Sequence, residues 1–284
     1  MRTALVAWLL ARKQGARFTL RFEDLDPQRS RRQWEAAQVA GLQATGIDWD
    51  EPPVRQSERL ALYADALARL REQDLVYPCF CTRAEIRAAA SAPHDDELPD
   101  GAYPGTCLAL TAAERRRRIE AGAPYALRLR AQHTKIEFVD RLLGPRWGIV
   151  DDFVLVRADG VYAYQLAVVV DDAAQGIGEV CRGADLASST PRQILLQDLL
   201  GLPQPSYLHV PLVLTADGKR LAKRHQGAAF ADVREQPGAM LTLLAHSLGL
   251  ARERNSVHAA GELLDEFDPA LIPTAPLTLP AAER

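Results

Sequence analysis

Apolar positions over residues 2–15 (Ala4, Leu5, Val6, Trp8, Leu9, Leu10) lie nearly all round a helix that Gly15 closes. Such a helix is expected to be buried against a sheet. Phe18, Leu20 and Phe22 then alternate with Arg17, Thr19 and Arg21, the two-residue period of a strand with one buried face. A helix followed by a strand is half of a βαβ unit, which places the chain in the α/β class. An amphipathic helix is predicted over 30–45, carrying Trp34, Ala37, Val39, Ala40 and Leu42. Gln56 and Ser57 are placed to cap a helix over 58–73, and Thr82 to cap one running to about residue 90.

A short strand over 75–80 separates those two helices, and a helix is predicted over 111–121. Alternation over 125–130, 135–139 and 152–156 predicts a small antiparallel sheet inserted into the larger fold. Residues 161–170 form an apolar run with Tyr162, Tyr164 and Gln165 as polar handles. A strand over 176–181 ends in Arg182-Gly183-Ala184-Asp185. A helix over 188–200 has Pro191 in its first turn, and a strand over 207–214 is interrupted by Pro211. From Val233 the remainder reads as helical, with a loosely held Pro- and Ala-rich end.

Composition adds limits. Length allows one large domain or two to three smaller ones. A net charge of −3 argues against a generally basic nucleic-acid coat while permitting a local basic face. No apolar run reaches the eighteen residues or so that a membrane-spanning helix needs. The short apolar N-terminal run leads into Arg12 and Lys13 rather than a cleavage site, so the expectation is a buried helix in a cytoplasmic protein.

Four stretches carry candidate chemistry. Glu23, Asp24 and Asp26 follow the strand directly, where α/β folds bind ligands; the alternative is a solvated acidic turn. Cys79, Cys81 and Cys107 have the residue type and clustering of a structural metal site, the alternative being unrelated buried thiols. Its fourth ligand is His94 by residue type or Tyr103 within Y-P-G-T-C. Cys181 reads as core. The run Gly218-Lys219-Arg220-Leu221-Ala222-Lys223-Arg224 is suited to clamping a polyphosphate, or is a solvated basic turn or a patch for nucleic-acid backbone.

Taken in order, R-T-A-L-V-A-W-L-L-A-R, R-F-E-D-L-D, Y-A-Y-Q-L-A-V-V-V-D-D, V-C-R-G-A-D-L and the loop around Lys223 resemble a class I aminoacyl-tRNA synthetase of the glutamyl type. The resemblance covers roughly residues 1–245 and is closest to the family's shortened branch, which modifies queuosine in the anticodon of tRNA(Asp). It implies a Rossmann-type parallel sheet lacking its first strand, an inserted small zinc-containing α+β module and a short helical C-terminus. The implied divisions are 1–75 and 151–232 for the two catalytic halves, 76–150 for the inserted module and 233–284 for the C-terminal segment.

The resemblance also implies roles. Glu23 matches a glutamate that holds the substrate ammonium group, Tyr164 a tyrosine lining the same pocket, and Arg182 an arginine that binds the substrate. Lys223 matches the second lysine of the family's K-M-S-K-S signature, which contacts ATP. The zinc ligands become Cys79, Cys81, Tyr103 and Cys107. Implied ligands are ATP with Mg2+, L-glutamate and Zn2+, and the implied partner is the tRNA(Asp) anticodon region, reached by a monomer, with Arg115 to Arg118 as an RNA-facing surface. Arg220 and Ala222 depart from the signature's lysine and serine, which alters its phosphate contacts. The family's opening strand and H-I-G-H signature precede the point that matches Met1. The expectation for the chain as it stands is weakened or absent catalysis, from a start placed too far downstream or a truncated gene. The rival expectations are a fragment of a conventional glutamyl-tRNA synthetase and a non-catalytic RNA- or glutamate-binding remnant.

Overall fold

The computed structural model describes residues 1–28, 30, 32–90, 102–214, 218, 236–250 and 256–278. The N-terminal helix α1 (Arg2–Lys13) forms as its apolar pattern predicts, with Leu5, Val6 and Leu9 fully buried. They belong to one buried cluster with Leu208, Val210, Leu241, Ala245 and Phe267. Arg2 anchors its start by donating to the carbonyls of Pro211 and Ser247.

The next strand is shorter than its alternation predicts. Only β1 (Arg21–Phe22) is regular, paired in parallel with β2 (Val54–Arg55). No residue over 17–22 is fully buried, and Arg21, expected to face outward, points inward to an acidic pair. That ion pair competes with the simple two-faced pattern. Helix α2 (Arg32–Ala44) follows, burying only Gly41 and Leu42 and leaving Trp34 half exposed. Gln56 and Ser57 do not cap a helix; they form a short turn, and α3 (Leu60–Glu72) begins after it. The Ser57 hydroxyl and amide instead bind Asp24.

Beyond α3 come β3 (Val76–Cys79), α4 (Arg83–Ala90), α5 (Ala112–Glu120), β4 (Ala126–Leu129), β5 (Thr134–Asp140), β6 (Gly144–Val150) and β7 (Val154–Val156). Reciprocal capping boxes start α4 (Thr82 with Glu85) and α5 (Thr111 with Glu114). The chain continues through α6 (Tyr164–Gln175), β8 (Glu179–Gly183), α7 (Thr190–Leu200), β9 (Ser206–Val210), β10 (Val213–Leu214), α8 (Pro237–Ser247) and β11 (Leu277–Thr278).

The predicted antiparallel sheet divides in two. β4 lies between β3 and β7 in an antiparallel sheet, whereas β5 belongs to another, ordered β6-β5-β9-β8. In that sheet β5, β9 and β8 run parallel, and β6 closes the edge as an antiparallel hairpin partner of β5. The local pattern at 135–139 predicts a strand but carries no information on its parallel partner β9, where Asp140 aligns with Tyr207. The C-terminal part is not wholly helical either. After α8 come short 3-10 turns, and β11 pairs in parallel with β10. This segment completes the core around α1.

Gly176 closes α6 in the left-handed region (φ 66°), which turns the chain sharply into β8. That turn sets Tyr164, at the start of α6, near Arg182, at the end of β8.

Candidate functional site

A cavity of about 650 Å3 opens between α1, the 16–23 segment, α6 and β8, and Glu23, Tyr164 and Arg182 all line it. Desolvation by the cavity walls raises the pKa of Glu23, whose side chain is still 48% exposed, against the opposing pull of Arg21 and Arg182. Burial also raises the pKa of Tyr164, while the Arg182 guanidinium draws it down. These three groups, distant in sequence, therefore share one electrostatic environment. A carboxylate, a phenol and a guanidinium around one cavity offer partners for an ammonium, a polar oxygen and a carboxylate.

Arg182 is held rather than free. Its Nε donates to His209 Nε2 (3.0 Å), Nη1 to Gln193 Oε1 (2.6 Å) and Nη2 to Thr190 Oγ1 (2.8 Å). Three of its five N–H donors are thereby engaged, and the guanidinium also hydrogen-bonds the Tyr164 hydroxyl across the cavity wall. Behind His209 lies Asp140, with Oδ2 2.5 Å from Nδ1.

A second group of charges borders the cavity and was not predicted as functional. Arg21 pairs with Asp172 (2.8 Å) and approaches Glu23 and Asp171 at 3.8 Å each. Asp171 is fully buried and accepts from Gln56 (2.8 Å), Arg59 (2.6 Å) and Tyr63 (2.7 Å). The available signal was the doubled aspartate ending an apolar run. Asp24 and Asp26 are held by other protein groups: Asp24 by Ser57 and Arg55, Asp26 by Arg157.

The three clustered cysteines also meet. The Sγ atoms of Cys79, Cys81 and Cys107 all lie within 4.8 Å of one another, and Cys81 and Cys107 are 3.5 Å apart. Tetrahedral zinc with Zn–S near 2.3 Å sets its sulfurs about 3.8 Å apart, so the spacing fits a metal ion. The Tyr103 hydroxyl lies 3.6 Å from Cys81 Sγ and accepts from the Cys107 amide at 2.7 Å. Burial pushes the Cys81 thiol up to about 11. For Cys107, the opposing effect of burial is outweighed by hydrogen bonds from Tyr103 and the Phe80 amide, and the thiol falls below its ordinary value. Cys181 is partly buried against the α1 core, as expected. His94 and Lys223 lie outside the described residues, as does the basic run apart from Gly218. Of the arginines on α5, Arg115 and Arg118 sit over Tyr77 and Phe80, and Arg116, Arg117 and Arg118 are exposed.

A family model described as "tRNA synthetases class I (E and Q), catalytic domain" matches residues 1–266. The chain belongs to this family of tRNA synthetases. It is 54% identical to a protein of Nocardia farcinica named Glutamyl-Q tRNA(Asp) synthetase, an alignment covering 98% of this chain and 88% of that one. It is 47% identical to a protein of the same name from Symbiobacterium thermophilum, covering 99% and 91%. Among solved structures it resembles a glutamate tRNA ligase from Elizabethkingia meningosepticum crystallised in complex with its amino acid, at 27% identity and a TM-score of 0.80. The match spans 99% of this chain but only 64% of that ligase. The α/β fold and parallel strands described above are thus those of a glutamyl-type catalytic domain, and the protein is a ligase of the aminoacyl-tRNA synthetase class. Among the described residues, no helix is long and apolar enough to cross a membrane.

Proposed function

We propose that this protein activates glutamate with ATP, without tRNA, and transfers it to queuosine in the anticodon of tRNA(Asp). The observation that carries this reading is the match to relatives bearing that name along nearly their whole length. The cavity supports it, since Glu23, Tyr164 and Arg182 together complement an amino acid. In the first step a glutamate α-carboxylate oxygen attacks the α-phosphorus of ATP, and pyrophosphate leaves. In the second, a hydroxyl of queuosine attacks the activated carbonyl, and AMP leaves. Glu23 receives the substrate ammonium, Tyr164 hydrogen-bonds it, and Arg182, which lines the cavity, takes a carboxylate. Lys223, in the basic run, contacts ATP, whose phosphate charge a bound Mg2+ would neutralise. Placement and charge neutralisation carry both steps.

Residues 1–75 and 151–232 act in this reading as the two catalytic halves, 76–150 as an inserted module and 233–284 as a C-terminal segment, with the exception that β5 and β6 pair into the sheet of β9 and β8 and that β7 joins the module's sheet of β3 and β4. The chain acts as a monomer in the cytoplasm, and the run Arg115 to Arg118, exposed at Arg116, Arg117 and Arg118, faces RNA. The test is transfer of labelled glutamate: counts are expected on tRNA(Asp) containing queuosine. Labelling of tRNA(Glu) instead would contradict the reading and favour a conventional glutamyl synthetase.

Within the inserted module, Cys79, Cys81, Cys107 and Tyr103 hold a structural zinc ion. About one zinc per chain is expected by elemental analysis, falling toward zero in Cys107→Ser with a lower melting temperature. Full retention of zinc in that variant would contradict the assignment.

A further inference from the structure

Asp140 and His209 lie 69 residues apart and form a buried pair, with exposures of 2% and 0%. A buried ion–imidazole pair is a poor source of stability, because an apolar pair of similar volume does as well or better. Its geometry accounts for it in another way. β8 and β9 run parallel with Arg182 in register with His209, which sets both side chains side by side. An arginine N–H can only donate, so His209 Nε2, 3.0 Å from Arg182 Nε, must present its lone pair. The imidazole proton then sits on Nδ1, where Asp140 Oδ2 accepts it at 2.5 Å.

Asp140 is itself fixed. Its Oδ1 accepts from the backbone amides of Leu142 and Leu143 at 3.0 and 2.8 Å, in the turn between β5 and β6. One carboxylate oxygen is tied to the turn and the other to the imidazole, so the chain from turn to aspartate to histidine to arginine has one consistent set of donors.

We propose that His209 and Asp140 are positioning residues for Arg182: Asp140 holds His209 as the Nδ1–H tautomer, and its Nε2 lone pair fixes the plane and aim of the guanidinium toward the cavity. This rests on the reading that Arg182 receives a glutamate carboxylate. Gln193 and Thr190 hold the two terminal nitrogens, and His209 supplies the contact at Nε that stops the fork from turning about its bond to the side chain. Neither positioning residue touches substrate.

Asp140→Asn is the informative change. The Leu142 and Leu143 amides demand an acceptor, so the Asn carbonyl oxygen turns to them and its NH2 faces His209 Nδ1. The histidine must then accept at Nδ1 and carry its proton on Nε2, donor against donor with Arg182.

The experiment uses the full chain, with 15N-labelled histidine side chains observed by NMR and glutamate-dependent pyrophosphate–ATP exchange measured in parallel. Wild type is expected to show Nδ1–H and an unprotonated Nε2 for His209, and Asp140→Asn the reverse. Asp140→Asn should raise the KM for glutamate at least about tenfold and leave the KM for ATP within about twofold. His209→Gln, which keeps an acceptor near Arg182, should retain more glutamate affinity than His209→Ala. An Nε2–H tautomer in wild type would overturn the proposal. So would equal losses for glutamate and ATP in both Asp140→Asn and His209→Ala, the signature of a structural prop. If Asp140→Asn fails to fold, the wild-type tautomer and the ordering of the two His209 variants decide. If wild type shows no glutamate-dependent exchange, the functional reading fails, while the NMR result still tests the positioning geometry.

Discussion

Arg182→Ala is expected to lower kcat/KM for glutamate in adenylate formation by about two to three orders of magnitude, with the KM for ATP little changed. The guanidinium is buried and hydrogen-bonded on three sides, so it is held in place to receive a carboxylate in the cavity. Truncating one partner of such a charge pair costs roughly 2–5 kcal/mol, and every 1.4 kcal/mol is about tenfold. Arg182→Lys keeps the charge but lacks the planar fork, and a loss of about a hundredfold is expected. The alanine change also strips His209, Gln193 and Thr190 of a partner, so its melting temperature must be measured beside its kinetics. A glutamate KM within about threefold of wild type in a folded Arg182→Ala protein would remove Arg182 from the substrate site.

Asp171→Ala is expected to produce the largest loss of stability, about 3–5 kcal/mol, because it leaves Arg59 without its buried counter-charge. Asp171 has no exposed surface and binds Gln56, Arg59 and Tyr63 across the contact between α6 and α3. Its hydrogen bond adds to burial in holding the Tyr63 phenol well above the ordinary tyrosine range. For a chain of this size the melting temperature should fall on the order of 10 °C or more. Asp171→Asn, which keeps the shape and one acceptor, should fall less. A loss below about 1 kcal/mol for Asp171→Ala would mean that water or rearrangement satisfies Arg59.

How far the sequence discloses this molecule depends on whether a residue's role is local. The apolar stripe of α1, the Thr82 cap of α4 and Pro191 at the start of α7 depend on neighbours a few residues away, and each forms as read. Ser57 has the right type for a helix cap, yet its hydroxyl goes to Asp24, 33 residues earlier. Arg21 occupies an outward position by period but turns in, because Asp172 lies 151 residues ahead of it. Residues 135–139 are a strand, as their alternation predicts, and join a sheet that nothing in that stretch identifies.

The site follows the same division. Glu23, Tyr164 and Arg182 were legible through the order of motifs, and the cavity brings all three together. The thiols of Cys79, Cys81 and Cys107 converge as their spacing suggested, with Tyr103 beside them. Asp140 and His209 gave no local signal: one ends β5 and the other lies within β9, and only the parallel pairing of β5, β9 and β8 brings them together beside Arg182.

The most direct test is a crystal structure of the protein soaked with glutamate and a non-hydrolysable ATP analogue. The account predicts glutamate in the cavity between α1 and β8, its ammonium within about 3.2 Å of the Glu23 carboxylate and one carboxylate within the same reach of Arg182. Glutamate bound at another site, or bound there with neither Glu23 nor Arg182 in contact, would contradict it.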